Sequence, residues 1–191
     1  MGTAYNKPTS DKRVEATNTN SAHGLRDLFE FGLKDIYWAE KVLSKTLPKM
    51  VRNASSPELV SNLKKQLTET EKHVTRLEEI FKSSGIEPTA KKCDAMAGII
   101  KESNNMLKDT DIGVVRDAGI IAAEQKVIHY EIATYGTLHA FAKTLGETKA
   151  AKLLAKTLKE DKEADASFTD IALKAINNKA SRAAAIANIR M

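Results

Sequence analysis

The chain has one cysteine, Cys93, in 191 residues, which excludes a disulfide framework and a thiolate zinc site. Aromatic residues make up only 5%, with 9 glycines and 4 prolines, a poor supply for β-sheets, which favour aromatic and β-branched side chains. No apolar run approaches the ~18 residues of a membrane helix. No charged segment followed by an apolar stretch opens the chain, so no signal peptide is expected. Basic runs interleaved with aromatics are missing as well. The net charge of +5 is spread among Glu and Asp and does not point to nucleic acid. The expectation is a soluble, cytoplasmic protein without a membrane partner.

What is present suits long amphipathic helices: 42% apolar residues, largely Ala, Leu and Ile, and 29% charged. Residues 1–20 are polar and aperiodic, the composition of a disordered tail. Four periodic stretches follow. The first, about 22–52, places Phe29, Leu33, Ile36, Leu43 and Leu47 on one stripe. The second opens at Ser56-Pro57-Glu58, runs through Leu63, Leu67, Leu77 and Ile80, and stops near Gly85. The third, about 112–145, carries Ile121, Ile128, Tyr135 and Leu138, and the fourth, about 147–176, carries Leu154, Leu158, Phe168 and Ile171. Short connections make each pair an antiparallel hairpin. The long connection at about 84–111 contains its own amphipathic piece with Met96, Ile99, Ile100 and Leu107. Two hairpins joined by one long crossover predict an all-α, ferritin-like antiparallel four-helix bundle over residues 21–178. Residues 179–191 read as a basic, Ala-rich tail.

The hairpins superimpose at a constant offset of 91 residues, without a gap: Leu47 on Leu138, Leu63 on Leu154, Leu67 on Leu158, Leu77 on Phe168, Ile80 on Ile171. The same offset puts Glu40 on Glu131 and Glu69 on Glu160. Glu40 and Glu131 occupy stripe positions where leucine is expected, and Glu124 shares the third helix's stripe. Glu160 and Asp161 straddle the inward face of the fourth helix. Glu69 lies at the edge of the second, beside Gln66 and His73. All four glutamates are similarly far from their hairpin turns, so at ~1.5 Å of rise per residue they share one height.

Unpartnered carboxylates in a core repel one another and are costly to bury. Bound dications relieve both problems, and oxygen ligands suit iron or manganese. The expected metal ligands are Glu40, Glu69, His73, Glu131 and Glu160. Glu69 and His73, four apart, share a helix face, whereas the Glu-x-x-His spacing of di-metal bundles is missing. Any one of these glutamates alone also reads as a helix-edge side chain that snorkels to solvent or pairs with Lys41, Lys65, Lys126 or Lys159. Tyr37, Trp38 and Tyr130 beside the glutamates read as packing residues with satisfied polar tips.

Five stretches carry a family resemblance: LRDLFEFGLKDIYWAEKVLSKTLPKM, QLTETEKHVTRLEEIF, CDAMAGIIKESNNM, AAEQKVIHYEIATYGTL and AAKLLAKTLKEDKEAD. Together they make residues 24–178 similar to the YciE/YciF family of ferritin-like bacterial stress proteins. The resemblance implies a fold related to rubrerythrin and manganese catalase, a homodimer, a dinuclear iron or manganese site and a stress-linked role. Gln66 stands where the family commonly has His, and Ile128 where it commonly has Glu, which thins the ligand set. Two functions follow from these readings. One is a di-metal protein reacting with O₂ or peroxide; the other is a non-catalytic structural or interaction bundle with a degenerate metal site. Nothing in the sequence specifies a storage shell or names a redox partner.

Overall fold

The computed structural model of the chain describes residues 22–189, the side chains of 184–189 excepted. Residues 1–20, read as a disordered tail, lie outside the described set. All regular structure among the described residues is helical, and the chain is a helical bundle. Helix α1 spans Leu25–Asn53, α2 Pro57–Ser84, α3 Asp94–Lys108, α4 Val114–Thr144 and α5 Thr148–Ile171. A π-helical turn, Ala172–Ile176, follows α5, and α6 continues over Asn177–Ile189. The fourth periodic stretch therefore passes through one widened turn instead of ending at 176, and Ala180, Ala183, Ala184, Ala185 and Ala187 supply strong helix formers there.

Each helix buries the stripe that its spacing marks out. On α1 this is Phe29, Leu33, Ile36, Glu40, Leu43, Leu47 and Met50, alternating steps of four and three residues. Gly85 ends α2 at φ 67 and Gly146 precedes α5 at φ 76, left-handed conformations that glycine adopts at little cost. The hairpins α1–α2 and α4–α5 pack with α1 antiparallel to α4: Gly32 lies against Leu138, while Ser55 at the other end meets Asp117. The crossover is tied down where the Lys91 N–H donates to the Lys34 carbonyl (3.0 Å), and α3 packs on α4 and α1.

The internal repeat extends to the hairpin turns. Asp117, at the start of α4, accepts from Ser55 N (2.7 Å), Ser55 Oγ (2.7 Å) and Ser56 N (2.9 Å), holding the α1–α2 turn. At the offset of 91 its counterpart is Arg26, whose Nη2 lies 2.5 Å from Glu147 Oε1 and holds the α4–α5 turn. Glu147 is itself the counterpart of Ser56, so the two ties are equivalent in place and opposite in charge. The Asp117 carboxylate caps the start of α2 in place of the Ser56 side chain, which makes no capping bond.

The apolar core is divided. One cluster gathers Phe29, Leu33, Ile36, Leu77, Ile80, Phe81, Tyr135, Leu138 and Leu154. The other gathers Leu47, Met50, Leu59, Leu63, Ile120, Ile121, Phe168 and Ile171. Along α2 and α5 the stretch between the clusters is buried and polar: Gln66, Thr70, His73 and Arg76 on one, Thr157 and Asp161 on the other. Glu40 on α1 and Glu131 on α4 occur at the same level of the bundle. This polar layer between two hydrophobic blocks is where the chemistry of the fold is concentrated.

Candidate metal centre

Glu40, Glu131 and Asp161 have no solvent exposure, 0% each, and His73 has 1%. Glu40 Oε1 accepts from Tyr135 Oη at 2.6 Å and lies 3.2 Å from His73 Nδ1. The imidazole faces outward through Nε2, 3.1 Å from Glu160 Oε2, and its Nδ1 is also 3.9 Å from Asp161 Oδ1. Burial opposes charging of this imidazole, but the Glu40 carboxylate and then Asp161 outweigh it and push the His73 pKa up to about 9.

The remaining carboxyl oxygens of the layer accept no hydrogen bond. Glu40 Oε2, Glu124 Oε2, both oxygens of Glu131 and both of Asp161 are buried without a hydrogen bond, as is Thr70 Oγ1. Unpaired buried carboxyls hold on to their protons. Desolvation, reinforced by Glu40, Asp161 and Glu124, raises Glu131 well above the usual carboxylate range. Burial and Glu40 raise Asp161 to about 8 against the pull of His73. Burial alone raises Glu124 to about 8.

Of the ligands expected from the sequence, the structure brings Glu40, His73 and Glu131 into the interior. Glu160 and Glu69 stand at its edge. The Glu160 side chain is 23% exposed, and Arg76 grips it through Nη1–Oε2 (2.7 Å) and Nη2–Oε1 (3.2 Å). Burial would raise the Glu160 pKa, but Arg76 and His73 overcome it and hold the carboxyl below its usual range. The Glu69 side chain, 18% exposed, faces Lys65 Nζ at 3.7 Å. The fully buried pair at the repeat offset is therefore Thr70 and Asp161, one residue further along each helix. Two buried positions of the layer carry uncharged side chains, Gln66 and Thr70.

Arg76 was not legible as a member of this network. It is 7% exposed and also donates to Thr157 Oγ1 at 2.5 Å. Asp161 did carry a signal, since 154, 157, 161, 164, 168 and 171 form the buried stripe of α5, with Thr157 and Ala164 too small or polar to announce it. Other polar side chains near these glutamates in the sequence or the fold act elsewhere. Tyr37 donates to Glu78 Oε1 (2.8 Å) and packs edge-on against Phe81. Tyr130 donates to Asp35 Oδ2 (2.5 Å) and meets Cys93 Sγ at 3.1 Å, while Cys93 caps α3 through Met96 N. His129 is 66% exposed, beside Asp165.

Among the described residues, no three His, Cys, Asp or Glu side chains are set as a ready-made metal cluster. The donor set nevertheless fits a hard dication: buried oxygens without hydrogen bonds, one imidazole, and an apolar cluster on either side of the layer.

Residues 24–181 match the family model described as a domain of unknown function, DUF892. The chain belongs to this family. Its relative Protein YciF of Escherichia coli (strain K12) is 43% identical over 157 residues, covering 82% of this chain and 95% of YciF. The crystal structure of the E. coli stress protein YciF superimposes with a TM-score of 0.78 at 42% identity, covering 82% of this chain and 99% of that one. YcfI from Rhodopseudomonas palustris, whose description proposes a structural role, gives a TM-score of 0.75 at 40% identity, over 76% of this chain and 93% of its own. This DUF892 member thus shares its helical bundle with the YciF proteins, as its sequence led us to expect.

Proposed function

We propose that this DUF892 protein binds a dinuclear iron or manganese centre between its two hairpins and acts in the cytoplasm as a stress protein, as YciF is described. One observation carries the reading: five buried carboxyl oxygens on Glu40, Glu131 and Asp161 lack a hydrogen-bond partner. Leaving such groups bare costs several kcal/mol, on the order of 1–3 kcal/mol each, and a folded core bears that cost when something else is to be coordinated.

Glu40, Glu131, Asp161 and His73 would hold the ions, with Glu160 and Glu69 approaching from the edge. Bound iron or manganese supplies reactivity toward O₂ or peroxide. The chain's own part is separate from that reactivity. Tyr135 orients Glu40 by a 2.6 Å hydrogen bond. Flanking apolar clusters exclude water. Because Glu131 and Asp161 hold protons in the metal-free protein, binding must release them.

Two copies of the chain would form a homodimer. An apolar groove between α1 and α4, of about 330 Å³ and lined by Leu28, Gly32, Ala133, Thr137, Leu138 and Phe141, supports pairing there. Light scattering at twice the chain mass is the expected outcome.

Equilibrium dialysis of metal-free protein against Mn(II), and anaerobically against Fe(II), tests the central reading. About two ions per chain are expected, as in carboxylate bundles of this kind, followed by peroxide consumption that the metal-free protein lacks. Neither ion bound at micromolar concentration would refute it.

A second reading has its own support. Gln66 and Thr70 occupy buried positions of the layer, and both His73 nitrogens are already engaged. On this reading the bundle is a structural or interaction protein whose site has degenerated. Replacing Glu40 and Glu131 together by Gln would then leave peroxide sensitivity and metal content unchanged.

A further inference from the structure

We propose that Arg76 and Glu160 form the door through which divalent cations reach the buried carboxylate layer, an inference that rests on the metal reading above. A groove of about 480 Å³ runs between α2 and α5, where the acids Glu71 and Glu79 and the bases Lys72, Arg76 and Lys156 all line it. Arg76 lines it and is 7% exposed. Its guanidinium pairs with Glu160. The Glu160 side chain is 23% exposed, whereas those of Glu40 and Asp161 are at 0%. Glu160 is therefore the most exposed carboxylate of the expected ligands, ahead of Glu69 at 18%.

From Glu160 the route inward is continuous. Glu160 Oε2 lies 3.1 Å from His73 Nε2, and the other nitrogen of the same ring lies 3.2 Å from Glu40 Oε1. One imidazole thus joins Glu160 to Glu40, with no apolar side chain between the two carboxylates. The entrance is closed because Arg76 holds both Glu160 oxygens in a fork, at 2.7 and 3.2 Å, and is itself anchored on Thr157 at 2.5 Å. The guanidinium does two things at that point. It occupies the lone pairs that an incoming cation needs, and its charge repels a dication at close range. Loading must wait until the fork opens, so Arg76 sets the rate of entry without being a ligand.

The test is stopped-flow mixing of the metal-free full-length chain with Mn(II). Quenching of tyrosine and Trp38 fluorescence reports entry, and electron paramagnetic resonance of free Mn(II) counts the ions bound. Arg76→Gln removes both the fork and the charge, and is expected to speed loading about tenfold, the equivalent of one charge-assisted hydrogen bond, at unchanged stoichiometry. Arg76→Lys keeps the charge but loses the fork and should fall between. Glu160→Gln removes the most exposed of these carboxylates and should slow loading about tenfold. Far-UV circular dichroism and melting of each variant identify any that fails to fold, and Arg76→Lys, the conservative change, then decides. If both Arg76 variants fold and load at the wild-type rate with full stoichiometry, the door is refuted and the metal site stands. If the wild-type chain binds no Mn(II) at all, the metal reading fails and the door with it.

Discussion

Glu124 is the buried group whose removal has the most calculable consequence. It lies on the α4 stripe two turns before Glu131, about 10 Å along the helix axis, and is 3% exposed. Burial alone raises its pKa from 4.5 to about 8. In the unfolded chain the same carboxyl is ionised at neutral pH, so folding at pH 7.5 must return a proton to it. Three pH units at about 1.4 kcal/mol each give a destabilisation on the order of 4 kcal/mol. At the repeat offset its counterpart is Leu33, fully buried in the other hairpin. Glu124→Leu therefore restores the apolar residue that the repeat provides, with similar volume and no unpaired oxygen. After about 1–2 kcal/mol for imperfect repacking, the metal-free variant should be about 2–3 kcal/mol more stable. For a chain of this size that corresponds to roughly 4–12 °C in melting temperature. The assay is urea and thermal denaturation of metal-free protein at pH 7.5. At pH 4.5 the gain should shrink, because the unfolded carboxyl is then half protonated. Equal or lower stability at pH 7.5 would refute the view that Glu124 is an uncompensated buried acid.

Other outcomes follow from the same geometry. Metal-free protein should lose stability as pH rises from about 5 to 9. The folded-state pKa values of His73 (about 9), Asp161 and Glu124 (about 8 each) all lie above their unfolded values, and such groups stabilise below the unfolded pKa and lose that contribution through the folded one. Melting temperatures rising steadily across this window would contradict the proton inventory of the layer. Asp117→Ala removes the acceptor of three hydrogen bonds at the α1–α2 turn and should cost about 2–4 kcal/mol, read by denaturation. Arg26→Ala, at the equivalent tie, involves a side chain 43% exposed and should cost under about 1 kcal/mol. Equal costs would mean that burial does not distinguish the two ties.

The stripes at steps of three and four made the helices, their pairing and the long crossover legible, because those periodicities are imposed by the burial that forms the bundle. Glu40 and Glu131 were visible for the same reason, as acids in a leucine's place. The α2 and α5 positions were harder. The offset of 91 pairs Glu69 with Glu160 and Thr70 with Asp161 equally well, so the repeat cannot say which pair faces inward. The decision lies in the stripe 154, 157, 161, 164, 168 of α5, which Thr157 and Ala164 blur. Arg76 could not be read at all. An arginine on a charged helix face usually reaches water, and this one is buried because Thr157 and Glu160 across the hairpin interface satisfy it. That is a tertiary fact without a local trace. The continuation past Ile171 through a π turn depends likewise on packing against α4.

The most direct test of a metal centre is metal content by plasma mass spectrometry after anaerobic loading with Fe(II) and Mn(II), wild type beside a Glu40→Gln/Glu131→Gln variant. The account predicts about two ions per wild-type chain and fewer than half as many in a variant that melts at the same temperature or higher. Wild-type protein that comes through loading and desalting without metal, or a double variant that retains the full complement, would contradict it.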